Sequence, residues 1–86
     1  MIRTIIDVRE PTEFSISHVK GAVNIPISKI ISDASILADI PKDAEVILYC
    51  NSGSRSNAAG SMMRSLGFLN INCYINQSHV ESELDR

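Results

Sequence analysis

Residues 45–68 read EVILYCNSGSRSNAAGSMMRSLGF. After its first residue, EVILYC (45–50) is continuously apolar and short, which predicts a central parallel strand buried on both faces. From about Arg55 to Leu66 the pattern becomes helical. Ala58, Met62 and Leu66 share a stripe with Ala59 and Met63. Gly67 is placed to end the helix in the left-handed conformation, with Phe68 folding back on the last turn. Gly60 inside this helix costs about 1 kcal/mol relative to Ala, and close packing on a sheet would account for it. The stretch is thus strand, loop, helix, with Cys50 at the join.

Working outward, the same alternation recurs. TIIDV (4–8) is a β-branched apolar run and reads as a buried strand. Pro11 suits the first turn of a short helix, and Glu10 and Glu13 favour its N-terminal end. AVNI (22–25) is a short strand stopped by Pro26. Ser28 is placed to cap a helix whose apolar face is Ile30, Ile31, Ala34, Leu37 and Ala38. IPKDAE is a turn, INCYI (71–75) a further strand, and HVESELDR a final short helix. Strands joined by helices imply a parallel sheet covered on its faces. Ligands bind at the carboxyl ends of the strands in such sheets, and Cys50 lies at one of those ends.

Composition narrows the function classes. The 86 residues suit one domain with a small core, 44% hydrophobic and 21% charged. Only 5% are aromatic and there is no Trp, so the core is aliphatic. A net charge of −2 and the lack of a basic run argue against nucleic acid as a partner. No apolar stretch is long enough to span a bilayer, which argues against a membrane role. MIRTIIDVRE does not read as a signal peptide. The expected compartment is the cytoplasm, or the periplasm if a signal has been removed. Cys50 and Cys73 are far apart and form no CxxC, so free thiols are expected.

The loop after Cys50 is Asn51, Ser52, Gly53 and Ser54, all small or polar. Gly53 tolerates backbone angles that other residues do not. Such a loop can turn successive N–H groups inward, with a helix N-terminus behind it, to form an anion-binding nest. A thiolate there would have a depressed pKa and become a nucleophile, and Arg55 adds a positive charge at the loop's end. The competing reading is a buried packing cysteine, since free Cys is among the most buried residue types. Cys50, Cys73, His18 and His79 lack metal-ligand spacing. The missing Gly-Lys-Ser/Thr excludes a Walker loop.

Two segments together resemble the single-domain rhodanese family of sulfurtransferases. IIDVREPTEFSISHVKGAVNIP (5–26) is similar to its amino-terminal signature: Asp-Val-Arg, Glu-Phe, His, then Gly-Ala-x-Asn-Ile-Pro. VILYCNSGSRSNAAGSMMRSLGF (46–68) is similar to its active-site strand, loop and helix. The Cys-Asn-x-Gly loop most resembles the small phage-shock-type rhodaneses. The resemblance implies one rhodanese-like α/β domain over residues 1–86, with a small parallel sheet of about four to five strands flanked by helices.

It also implies a thiosulfate sulfurtransferase chemistry. Cys50 is the expected catalytic residue, attacking the sulfane sulfur of a donor such as thiosulfate. Its persulfide then passes the sulfur to cyanide or a thiol, including a thiol on a protein. Asn51, Ser52, Gly53, Ser54 and Arg55 form the expected substrate-binding loop, with backbone amides holding the persulfide. No metal or organic cofactor is implied.

The resemblance implies that Asp7 and Arg9 are scaffold, tying the strand end to neighbouring loops, and that His18 supports the turn before KGAVNIP. Glu13 reads as a partner for Arg9 or a capping residue, and Asn24 as bonding loop backbone at the sheet edge. Met62, Met63 and Cys73 read as packing. The chain departs from the family in three places. Asn51 stands where thiosulfate-specific members often have Arg. INQSHVE replaces a Gly-Gly loop, and the chain starts almost directly at IIDVR, without the strand and helix common before it. Two other readings are a non-enzymatic sulfur-carrier or regulatory interaction domain and a small-anion phosphatase. Related phosphatases use Cys-x5-Arg, whereas only four residues separate Cys50 from Arg55, a tighter cradle that suits one sulfur atom.

Overall fold

The two most β-branched runs pair with each other at the centre of the molecule. In the computed structural model, which describes residues 2–85, β1 (Arg3–Asp7) lies parallel to β3 (Glu45–Tyr49), in register from Arg3 opposite Glu45 to Asp7 opposite Tyr49. β2 (Val23–Asn24) adds to the outer side of β1, and β4 (Ile71–Tyr74) to the outer side of β3. The sheet is parallel throughout, with strand order β2-β1-β3-β4. α1 (Pro11–Ile16), α2 (Ile27–Ser32), α3 (Ser54–Ser65) and α4 (Gln77–Leu84) form the connections and the final element. This is the expected α/β class, with four strands.

Alternation along β3 divides the core in two. Val46, Leu48 and Cys50 point to one face with Ile6 and Val8, where Ile30 of α2 and Ala59 and Met63 of α3 cover them. Ile47 and Tyr49 point to the other face, against Val19 and Val80 of α4. Successive residues of a strand face opposite sides, so neighbours Tyr49 and Cys50 are buried in different layers.

Several expected boundaries shift, each for a local reason. The helix expected from Ser28 through Ala38 is two pieces. α2 ends at Ser32, and a 3-10 turn runs from Ala34 to Leu37. Asp33 breaks it: its side chain accepts from the Ser35 amide at 3.1 Å and the Ser35 hydroxyl at 2.5 Å, bonds that compete with helix continuation. Ser28 lies inside α2, whose cap is Pro26. The strand expected over 22–25 is reduced to Val23–Asn24. α4 begins at Gln77, ahead of HVESELDR, because the Asn76 side chain caps it by accepting from the His79 amide at 2.9 Å.

The stripe on α3 is also rotated from the expected one. Its buried residues are Ser56, Ala59, Gly60 and Met63, while Leu66 is 41% exposed and Ala58 is exposed. Small residues let this helix sit close to the sheet. The C-terminal end is as expected: Gly67 has φ +100°, and the Phe68 amide reaches back to the Met63 carbonyl at 3.1 Å.

Candidate functional site

Cys50 is the first residue beyond β3, and its side chain is wholly buried. The chain then turns through Gly53, whose φ of +93° only glycine adopts readily, into α3. That turn aims two backbone donors at the sulfur. The Gly53 amide donates to Sγ at 3.1 Å and the Ser56 amide at 3.4 Å. The Ser56 hydroxyl lies 3.7 Å from Sγ, and the Ile75 carbonyl, at the end of β4, lies 3.9 Å from it. Burial pushes the Cys50 thiol up. The Ser56 amide and hydroxyl, with the amides of Ser52 and Gly53, outweigh burial and hold it below an ordinary thiol.

Ser56 organises this pocket and is fully buried. Its hydroxyl is within hydrogen-bond distance of the Tyr74 carbonyl (2.9 Å) and the Gly53 carbonyl (3.1 Å). It thereby ties the loop and α3 to the end of β4. Sequence reasoning passed over it. Its signal was a small polar residue in line with Ala59, Gly60 and Met63 on one helical face.

The expected binding-loop residues divide into three groups. Gly53 turns its amide to the sulfur. Ser52 and Ser54 are exposed, with hydroxyls 3.4 Å apart. Asn51 and Arg55 both turn to Glu13 of α1. Asn51 Nδ2 donates to Glu13 Oε2 at 2.6 Å, while Arg55 Nη1 and Nη2 donate to Oε1 and Oε2 at 2.8 and 3.1 Å. Glu13 also accepts from the Glu10 amide at 3.0 Å as half of a capping box. The Arg55 guanidinium, then the Glu10 amide, pull the Glu13 carboxyl down to about 2. Arg55 is raised in turn, chiefly by Glu13, with a smaller contribution from the charge of the Cys50 thiolate. Of the two roles expected for Glu13, capping is observed; its ionic partner is Arg55, and Arg9 pairs elsewhere.

Arg9 belongs to the scaffold beside this site. It donates from Nε and Nη2 to the buried Asp7 carboxylate, at 2.6 to 3.0 Å, and from Nη2 to the Ser17 carbonyl at 2.6 Å. Its guanidinium lies 5.4 Å from the Tyr49 ring centre. The Asn24 amide donates to the Asp7 and Arg9 carbonyls at 3.0 and 2.9 Å, fixing the ends of β1 and β2. His18 is exposed, stacks on Phe14 at 3.7 Å and hydrogen-bonds the Phe14 carbonyl. Asn76 and Gln77 start α4, and Gln77 reaches Ser17 Oγ at 3.0 Å. Cys73 is half-buried, free, and 3.4 Å from the Ser56 carbonyl. Among the described residues, no three His, Cys, Asp or Glu side chains gather as a metal site. None of the described helices is long and apolar enough to cross a membrane.

The comparisons with known proteins agree with this architecture. The probable adenylyltransferase/sulfurtransferase MoeZ of Mycobacterium tuberculosis is 42% identical over 64 residues, 74% of this chain and 16% of that protein. The thiosulfate sulfurtransferase PspE of Escherichia coli is 34% identical over 67 residues, 77% of this chain and 62% of that protein. The chain thus spans less than two thirds of either relative. A solved structure of a rhodanese with anions from E. coli superposes with a TM-score of 0.70 at 31% identity, covering 86% of this chain and 82% of that one. The family model of the rhodanese-like domain matches residues 1–80, a span that holds the whole sheet, the Cys50 loop and the start of α4. With a thiol seated on inward amides between a parallel strand and a helix, the chain belongs to the rhodanese-like family.

Proposed function

We propose that this domain is a sulfurtransferase that carries sulfane sulfur on Cys50. The observation that carries the reading is the convergence of the Gly53 and Ser56 amides on Sγ at 3.1 and 3.4 Å. These donors favour an anionic sulfur at neutral pH. In the first step the Cys50 thiolate attacks the outer sulfur of a donor such as thiosulfate. A bond forms between Sγ and that sulfur, the donor's S–S bond breaks, and sulfite leaves with the electron pair. In the second step cyanide or a thiolate attacks the outer sulfur of the Cys50 persulfide, forming thiocyanate or a new persulfide and returning the thiolate. The thiol acceptor is a small molecule or a cysteine of another protein. The loop geometry also favours sulfur over phosphate: its amides engage Sγ itself, and Arg55 is committed to Glu13.

The deciding experiment is the intact mass of the protein before and after thiosulfate, with and without a reductant. A reversible gain of one sulfur, absent in Cys50→Ser, is the expected result. Full transferase activity in Cys50→Ser would overturn the reading.

One observation favours a second reading, a sulfur carrier without rapid turnover: Cys50 has no exposed surface. Under that reading Cys50 loads with sulfur but unloads only to a specific protein partner. Rapid turnover of thiosulfate with cyanide alone excludes it.

A further inference from the structure

Both oxygens of Glu13 are fully engaged at the mouth of the site. Oε1 accepts from Arg55 Nη1 and the Glu10 amide, and Oε2 from Arg55 Nη2 and Asn51 Nδ2. The capping box anchors this carboxylate to its own helix, so it keeps its place independently of Arg55. A two-pronged carboxylate–guanidinium pair occupies the same edge of Arg55 that an oxyanion would take. The other arginine beside the loop, Arg9, is matched by Asp7. Each of these two cations beside the Cys50 loop therefore already faces a carboxylate of the chain. What remains for an incoming donor is uncharged: the backbone amides of the loop and the exposed hydroxyls of Ser52 and Ser54.

We propose that Glu13 is a specificity-determining residue: by holding the Arg55 fork it disfavours dianionic sulfane donors and makes the site selective for donors of lower charge, such as organic thiosulfonates and alkyl persulfides. This inference rests on the sulfur-transfer reading. A dianion such as thiosulfate must displace Glu13 to reach Arg55, or else bind beside a neutralised arginine. A monoanionic thiosulfonate presents its outer sulfur to Cys50 with less need of that cation. The chemistry is otherwise matched: Sγ bonds to the outer sulfur, the donor's S–S bond breaks, and the electron pair leaves with sulfite from thiosulfate, a sulfinate from a thiosulfonate or a thiolate from an alkyl persulfide.

The test compares thiosulfate with benzenethiosulfonate, each with cyanide as acceptor, in the unaltered protein and in Glu13→Gln. The glutamine keeps an oxygen for the Glu10 amide and loses the charge. The ratio of kcat/KM for thiosulfate to that for benzenethiosulfonate should rise about fivefold, through KM, the scale of one partly exposed ion pair. The pH midpoint of Cys50 alkylation should also fall, because Arg55 is no longer compensated. An unchanged or lower ratio overturns the proposal. A salt series on the unaltered protein gives an answer that does not depend on the variant folding. Its kcat/KM for thiosulfate should hold or rise with ionic strength, and a steep fall would reveal an open cationic site and overturn the proposal. If neither donor places sulfur on Cys50, the sulfur-transfer reading itself fails. If both load it but the ratio stays fixed, only the role of Glu13 does.

Discussion

Gly60 of α3 lies directly against the thiol of Cys73 on β4: a methyl group built on Gly60 would collide with Sγ and sit 3.3 Å from Ile71 Cγ2. Helix propensity alone favours Ala there by about 1 kcal/mol. Overpacking opposes it and is larger, about 1–3 kcal/mol. Gly60→Ala should therefore destabilise the domain in a urea titration. Adding Cys73→Ala should recover most of the loss, because the two side chains contend for one space. A neutral or stabilising Gly60→Ala would mean that α3 can move off the sheet without cost.

Ser56→Ala should raise the Cys50 pKa, since it removes the Ser56 hydroxyl, one of the groups that hold it down, and keeps the Ser56 amide. A higher pKa means less thiolate at pH 7, so alkylation of Cys50 should slow there and converge with the unaltered protein at alkaline pH. The change also takes the hydroxyl donor from the half-buried Tyr74 carbonyl, which costs about 1 kcal/mol of stability, while the Gly53 carbonyl keeps the Asn57 amide. The pH–rate profile separates the first effect from the second.

Asp7→Asn strands the Arg9 guanidinium in the interior. The pair is buried, with side-chain exposures of 8% for Arg9 and 0% for Asp7, and removing one partner of such a pair costs about 3–5 kcal/mol. In a domain this small that is a large share of the total. Chemical denaturation should place the Asp7→Asn midpoint far below that of Asn24→Ala, which loses only neutral hydrogen bonds to the carbonyls of Asp7 and Arg9.

Glu13 gives a pH dependence of definite sign. Its folded-state pKa, about 2, lies below its ordinary value of 4.5, so the folded state binds its proton less readily than the unfolded chain. The resulting stability is complete above about pH 5 and is lost as pH falls toward 2. Because Glu13 is partly exposed, solvent screening keeps the effect small. Thermal melts from pH 6 to pH 2 should show the unaltered protein losing more Tm than Glu13→Gln over that window. Parallel curves would mean that the Arg55 pair contributes nothing to stability.

The strand-loop-helix unit at 45–68 was legible because its signals are local: an apolar run, a glycine at the turn and a glycine at the helix end. On α3 the expected Ala59 and Met63 are buried and Met62 packs against the core, but Ala58 and Leu66 are exposed, because hydrophobicity gave no weight to Ser56 and Gly60, small residues that complete the inward face. The break at Asp33 needed the side-chain bond to Ser35, which propensity alone does not reveal. Glu13 was assigned its capping role from position, but its link to Arg55 spans 42 residues of chain and exists only once α1 lies beside the Cys50 loop. The loop was legible as a cradle for anions. That two of its side chains would be engaged by the protein's own carboxylate was not.

The division of β3 between two layers makes the chemistry a matter of parity. Val46, Leu48 and Cys50 occupy even positions and face α3, while Ile47 and Tyr49 occupy odd positions and face Val19 and α4. Tyr49 is locked in its layer by its hydroxyl, which accepts from the Val19 amide at 3.0 Å. Deleting or inserting one residue within 45–49 would exchange the two sets: a tyrosine would arrive under the amides of Gly53 and Ser56, and the thiol would be delivered to the wrong side of the sheet. Length changes in the turn at 38–44 carry no such inversion. The approach to this strand can therefore change length freely, but an insertion or deletion inside it keeps the two sets in place only in steps of two.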